Sequence, residues 1–260
     1  MSTITASLSA AAISHATTTN GTPGPRRLRV AAVIPAYNEE GKIGRVLRKI
    51  PPGVVDAVIV VDDCSRDGTS EEARQGGAVV LRHAVNQGVG AGIRTGIDFA
   101  REHGYDIVTV LSGDDQHDPS ELPAVLEPLL KGQCDLVQGS RRLGGGRMVQ
   151  IKWFRRITTA IYPVLFHLCT GFRSTDATNG FRAFRLSMFR DRRINLWQPW
   201  LNRYELEPYL LYQAVVTGKR VKEVPITIIY HQEGTTKMRG LGDWWRILRP
   251  LVLLTLGLKR

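Results

Sequence analysis

The sequence predicts an α/β fold built on a mostly parallel sheet flanked by helices. Short β-branched runs alternate with helical segments over residues 29–140, the pattern of strand–helix–strand units. Three of those runs end in acids or amides, at Asn38/Glu39, Asp62/Asp63 and Asp114/Gln116. Parallel strands bring their C-terminal ends to one edge, where open α/β sheets place their chemistry. The three polar ends should therefore line a common cleft.

Taken in order, residues 1–28 are rich in Ser, Thr and Ala, with no acid before Glu39. Such a segment buries too little apolar surface to offset its ordering entropy, so it is expected to be flexible. A transit peptide is a second reading of the same composition. RVAAVI (29–34) is the first strand, closed by PAYNEE (35–40), and Ile43, Val46, Leu47 and Ile50 recur at helical spacing behind it. DAVIVV (56–61) is the second, ending in DDCSRDGT (62–69), and residues 78–81 form the third. NQGVGAG (86–92) opens a helix to about His103. Its glycines are mis-spaced for a dinucleotide fingerprint, so close backbone packing at the helix start is the better reading.

The fourth strand, IVTV (107–110), runs into LSGDDQHDP (111–119). Hard oxygen ligands on a short turn suit Mg²⁺ or Mn²⁺, ions that commonly serve phosphates. Asp118 before Pro119 reads as a helix cap. Residues 135–138 form a fifth strand leading into Gly139-Ser140-Arg141-Arg142. Beyond it, Trp153, Phe154, Ile157, Ile161, Leu165 and Leu168 mark a basic-flanked amphipathic helix over about 150–169. Residues 174–182 are a polar turn into a short strand. Residues 204–216 are helical, with Glu205 and Glu207 near the start, and 221–230 is a last strand.

The net charge of +11 calls for an anionic partner, whether nucleic acid, phosphate-bearing substrate or acidic membrane. Cys64, Cys134 and Cys169 are too few and too scattered for a disulfide framework. No apolar run reaches the roughly 18–20 residues of a transmembrane helix. The tail, 241–260, mixes Trp244, Trp245 and leucines with arginines. That suits a helix lying in a membrane interface, which the paired tryptophans favour over a terminal helix docked on the protein's own core.

VIPAYNEE (33–40), VVDDCSRDGT (60–69), NQGVGAG (86–92), GDDQHDP (113–119), GSR (139–141), TNGFRAF (178–184), the Glu205/Glu207 helix and EVPITIIYHQEGTTK (223–237) follow one another as in a known family. In these blocks the chain resembles family 2 glycosyltransferases of the GT-A fold, and most of all the dolichol- and polyprenyl-phosphate sugar transferases. The resemblance implies a GT-A domain over 29–240. It implies an inverting transfer of mannose or glucose, from a donor such as GDP-mannose or UDP-glucose, to a polyprenyl or dolichyl phosphate. It assigns nucleoside contacts to Pro35, Tyr37 and Glu39, and base binding to Asp63. Metal binding falls to Asp114 and Gln116, with Asp115 a further oxygen source. The donor and acceptor phosphates fall to Arg141 and one of Arg155 or Arg156, and acceptor contacts to Thr236 and Lys237. Gly88, Arg182 and His231 complete the substrate-binding set.

Two positions depart from the pattern. Ser112 replaces the first acid of the metal motif, and His231 stands where an arginine is usual. The resemblance also implies peripheral attachment to the cytoplasmic face of a membrane, with a separate membrane subunit or a homo-oligomer as further partners. Three other readings are carried. One is a family 2 transferase acting on a hydroxyl; another is an inactive scaffold, which draws on Ser112. The third is a basic nucleic-acid-binding protein, against which the acidic strand ends argue by repelling a phosphate backbone.

Overall fold

The computed structural model describes residues 5–7, 26–151, 153–230 and 241–259. Its strands are β1 (Thr5–Ser7), β2 (Val30–Ala36), β3 (Ala57–Asp62), β4 (Val79–Arg82), β5 (Ile107–Val110), β6 (Leu136–Ser140), β7 (Arg147–Val149), β8 (Arg182–Arg185), β9 (Val221–Pro225) and β10 (Thr227–Ile229). Its α-helices are α1 (Ile43–Lys49), α2 (Thr69–Gln75), α3 (Val89–Glu102), α4 (Leu122–Leu130), α5 (Trp153–Thr170), α6 (Leu206–Val216) and α7 (Leu241–Thr255).

Eight strands form one sheet in the order β1-β4-β3-β2-β5-β8-β6-β9. Only β1 and β8 pair antiparallel to their neighbours, so the mostly parallel sheet is as expected. Strand period two divides the core into two layers. Ala31 and Val33 face α3, α5, α6 and α7, whereas Ala32 and Ile34 face α1, α2 and α4. Burial on both faces explains why β2 reads as a continuous apolar run.

The order runs outward from β2 to β4 and then returns to β5 on the other side of β2. That reversal opens a crevice at the C-terminal ends of β2 and β5, where such sheets bind ligands. The turns leaving β2, β3 and β5 each hold a non-glycine residue in the left-handed region: Asn38 (φ 51°), Cys64 (φ 67°) and Asp115 (φ 63°). Backbone conformations of this cost persist where surroundings over-determine them, commonly at functional turns.

Several elements differ from expectation. Thr5–Ser7 pairs with β4, so residues 1–28 are not uniformly without structure, and Arg26 and Arg27 pair with Asp106 and Asp56. The expected strand over 221–230 divides at Ile226 into β9 and β10. The division lets β10 pair with β7 in a separate two-stranded sheet beside the cleft. In the tail, α7 docks on the body: Ile247, Leu251 and Leu254 are buried in the core, and Tyr162 Oη donates to the Ile247 carbonyl.

Candidate active site

The 111–119 turn, where the metal ligands are expected, follows directly from the end of β5. Gly113 permits it, because a Cβ there would stand 3.1 Å from the Pro35 carbonyl oxygen and 3.3 Å from the Ala36 Cβ. The turn therefore packs on the end of β2. Asp114 Oδ1 accepts from Ser112 Oγ at 2.5 Å and from the Gln116 amide at 3.1 Å. Among the described residues nothing donates to Asp114 Oδ2, and nothing engages the Gln116 side chain.

His117 anchors the far end of the turn. Its Nδ1 accepts from the Ser112 amide at 3.0 Å, and its ring stacks on Phe181. Burial, aided by the charges of Arg141 and Arg182, pushes its pKa down to about 4 against the pull of Asp114. At neutral pH the ring is uncharged, as an Nδ1 acceptor must be.

Because β8 runs antiparallel, its first residue reaches the same edge, with Arg182 in register between Val110 and Gln138. Arg141 leaves β6 and enters a buried pair with Asp176: Nε donates to Oδ2 at 2.5 Å and Nη2 to Oδ1 at 2.6 Å. Nη1 donates to Tyr230 Oη, and Nη2 also to Thr178 Oγ1. Burial disfavours this guanidinium, but Asp176 outweighs it and holds the pKa above its ordinary value. Glu223 of β9 accepts from Ser174 Oγ and from the Thr175 and Asp176 amides, fixing the Asp176 loop in turn.

Several assigned residues stand at the right edge with their polar groups already engaged. Asp115 turns away in its left-handed conformation, is 3% exposed, and binds Arg45 Nε at 3.1 Å and Lys49 Nζ at 2.7 Å. It is an ion-pair anchor for α1, not a metal ligand. Asp63 receives the Gln87 and Gly88 amides at 2.8 and 2.7 Å and pairs with His83 Nδ1. Burial works to raise its pKa, but these bonds prevail and hold it below the usual carboxylate range. It clamps the 86–88 loop. Gly88 itself is demanded by packing, since a Cβ there would collide with the Asn202 carbonyl. Glu39 is buried and pairs with Lys42. Pro35 packs under Gly92 of α3, while Tyr37 stays half-buried at the strand end.

Arg182 is buried, donating to the carbonyls of Glu207 and Asn179, so it braces α6 against the sheet and does not reach out to substrate. Burial raises the Glu207 carboxyl above its ordinary range, with Arg182 pulling the other way. Glu205 lies near Arg249 and Arg246, at 3.6 and 4.0 Å, and its Oε2 is buried with no partner among the described residues. Arg142 was not assigned by the sequence. Its Nη2 donates to the Arg156 carbonyl and Thr159 Oγ1, and its Nε is buried without a partner among the described residues. Arg156 is exposed beside it. His231, Thr236 and Lys237 lie outside the described residues, as does the Arg155 side chain.

The glycosyl transferase family 2 model matches residues 31–193, which covers β2 to the segment after β8. The chain belongs to glycosyltransferase family 2. It is 33% identical over 222 residues to the undecaprenyl-phosphate mannosyltransferase of Micrococcus luteus, covering 82% of this chain and 88% of that one. It is 28% identical over 219 residues to the polyprenol monophosphomannose synthase of Mycolicibacterium smegmatis, covering 82% of each. The crystal structure of glucosyl-3-phosphoglycerate synthase from Mycobacterium tuberculosis with Mn²⁺, UDP and phosphoglyceric acid superposes with a TM-score of 0.67 at 22% identity. That match covers 90% of this chain and 80% of the other. The mostly parallel sheet, with the 111–119 turn at its switch point, is the GT-A arrangement that the resemblance implied.

Proposed function

We propose that this chain is an inverting hexosyltransferase that moves mannose or glucose from a nucleotide diphosphate sugar to a polyprenyl or dolichyl phosphate. The observation that carries the acceptor is the state of the acids at the cleft edge. Glu39, Asp62, Asp63, Asp115 and Asp176 are all paired with cationic or imidazole partners. None is placed to strip a proton from a hydroxyl. A phosphate monoester needs no such base, because with a second pKa of about 6 it is largely dianionic at pH 7. The names of the Micrococcus and Mycolicibacterium relatives support the same acceptor class.

Asp114 Oδ2 and the Gln116 amide fit a Mg²⁺ or Mn²⁺ that arrives with a diphosphate better than a free-standing cage. Among the described residues no three His, Cys, Asp or Glu side chains cluster to hold an ion alone. Mg²⁺ usually takes one or two carboxylates and completes its shell from substrate phosphates and water. When bound, the ion offsets charge developing on the leaving diphosphate. Ser112 and His117 hold the turn that presents Asp114. Arg142 and Arg156 supply the acceptor phosphate's cations, with the orphaned Arg142 Nε a ready donor. Arg141, engaged by Asp176, positions the Tyr230 end of the strand that leads to Thr236 and Lys237. Attack in line with the leaving group inverts the anomeric centre. The enzyme works peripherally at the cytoplasmic face of a membrane, alone, as a homo-oligomer or with a membrane subunit.

One observation favours a second reading. Burial raises the Glu207 carboxyl above its ordinary range against the opposing charge of Arg182, which suits a base for a hydroxyl acceptor. The test is incubation with polyprenyl phosphate and labelled GDP- and UDP-sugars, with and without EDTA. Metal-dependent label in the organic phase is expected. Label confined to water-soluble products would discard the lipid acceptor.

A further inference from the structure

A second hollow opens on the same edge of the sheet, apart from the 111–119 turn. It has a volume of about 440 Å³ and lies where the loop before α3 meets the 199–205 segment and α7. Asp63 fixes that loop by accepting from the Gln87 and Gly88 amides. The Gln87 side chain is left at the wall with no partner among the described residues. Arg203 is exposed beside it and equally unengaged among those residues. Glu205 comes from the N-cap of α6, and Arg249 from α7. Glu205 and Glu207 stand about 200° apart around the axis of α6. Glu207 is directed at Gly180, where a Cβ would meet its Oε1 at 2.6 Å, so of the two only Glu205 lines the hollow.

The polar groups here are unsatisfied in both senses. Glu205 is 3% exposed, and its Oε2 has no hydrogen bond among the described residues. Arg249 and Arg246 stand 3.6 and 4.0 Å from its Oε1, near enough to offset charge but beyond hydrogen-bond length. Arg249 Nη2 donates to the Trp200 carbonyl at 3.1 Å, and its guanidinium lies 5.4 Å from the indole centroid. Its Nε is buried without a partner among the described residues. Buried polar groups left in this state are costly, and they mark a missing partner. That partner must donate to Glu205 and accept from Gln87, Arg203 and Arg249. A dianionic phosphate accepts but cannot donate, and it would be pressed against a carboxylate. An ammonium donates but would face two guanidinium groups. A hydroxyl does both, and several hydroxyls on one small neutral frame satisfy all four side chains at once.

We infer that this hollow is a hexose-binding site, in which Glu205 accepts from the sugar hydroxyls while Gln87, Arg203 and Arg249 donate to them. The C-terminal helix thereby takes part in substrate recognition. The hexose belongs either to the nucleotide sugar or to a separate saccharide. Only the first source rests on the hexosyltransferase reading.

Equilibrium binding to the full chain at saturating Mn²⁺, without acceptor, is measured for GDP-mannose, UDP-glucose, GDP, UDP and the methyl glycosides of mannose and glucose. If the hexose is the donor's, Glu205→Gln should weaken the nucleotide sugar by about tenfold or more and leave the matching nucleoside diphosphate within about twofold. If it is a separate saccharide, the variant should lose the glycoside by the same factor. Glycoside binding to the parent should then persist under saturating nucleotide sugar. Arg203→Gln, at an exposed position, should weaken the same ligand several-fold and keep the melting temperature, so the test stands even where Glu205→Gln unfolds early. Equal weakening of nucleotide sugar and nucleoside diphosphate would assign these side chains to the nucleotide and overturn the inference. So would unchanged binding of every ligand in both variants, or a parent that binds neither nucleotide sugar nor glycoside. Because no acceptor is present, a sugar-specific loss alongside failed transfer to polyprenyl phosphate would strike the acceptor reading alone.

Discussion

Ser112 sits two residues before Asp114 and donates to its Oδ1, so a hydroxyl does by hydrogen bonding what a second carboxylate could do by ligation. Ser112→Asp places a hard anionic oxygen at the same turn. The Mn²⁺ concentration for half-maximal transfer should fall several-fold, whereas Asp114→Asn should reduce kcat/KM by about a hundredfold or more. Asp115 behaves oppositely. Asparagine tolerates the left-handed backbone, so Asp115→Asn isolates the loss of the Arg45 and Lys49 pairing. Both partners are about half-exposed, and a destabilisation of about 1–2 kcal/mol is expected in chemical denaturation, with the metal requirement unchanged. Asp63 gives a pH signature. Its folded pKa lies below the ordinary 3.8, so its stabilisation is present above that value and is lost as pH falls through the folded pKa. The stability gap between parent and Asp63→Asn should close on acidification below about 4.

At the scale of elements, α3 begins where its glycines let the 201–203 backbone lie against it. A Cβ on Gly90 would meet the carbonyls of Leu201 and Arg203, which cannot withdraw as a flexible side chain could. Gly90→Ala should therefore cost several kcal/mol or shift the whole 199–205 segment, with raised KM for the donor. A far-ultraviolet melt and a donor titration would register both effects. This junction was only half legible in the sequence, where the glycines marked close packing but not its partner 110 residues away. The strands β2, β3 and β5 were legible because full burial on both faces demands β-branched runs. The β7–β10 pair was not, since strands of three residues leave no periodic trace. The 111–119 turn could be read from its acids, and Asp114 was set ahead of Asp115 there, but the ion pairs of Asp115 could not be read. The left-handed backbone at Asp115, and the cations that α1 brings near, set its side chain apart from that of Asp114. The tail's amphipathic pattern favoured a membrane, and the structure adds that one side of it, Ile247, Leu251 and Leu254, packs into the core.

For the whole molecule, one edge of one sheet gathers the metal turn, the Arg141–Asp176 pair and Glu207, while α5 extends from that edge as a basic apolar ledge. The excess of arginine over free carboxylate makes the cleft a place for anions to meet, not for protons to be removed. The most direct test of that claim compares initial transfer rates to a polyprenyl phosphate and to the same polyprenol without its phosphate, using one labelled nucleotide sugar at saturating metal. Label on the phosphate alone is the predicted result. Comparable label on the free alcohol, abolished by Glu207→Gln, would contradict the account and make Glu207 the base of a hydroxyl-directed transferase.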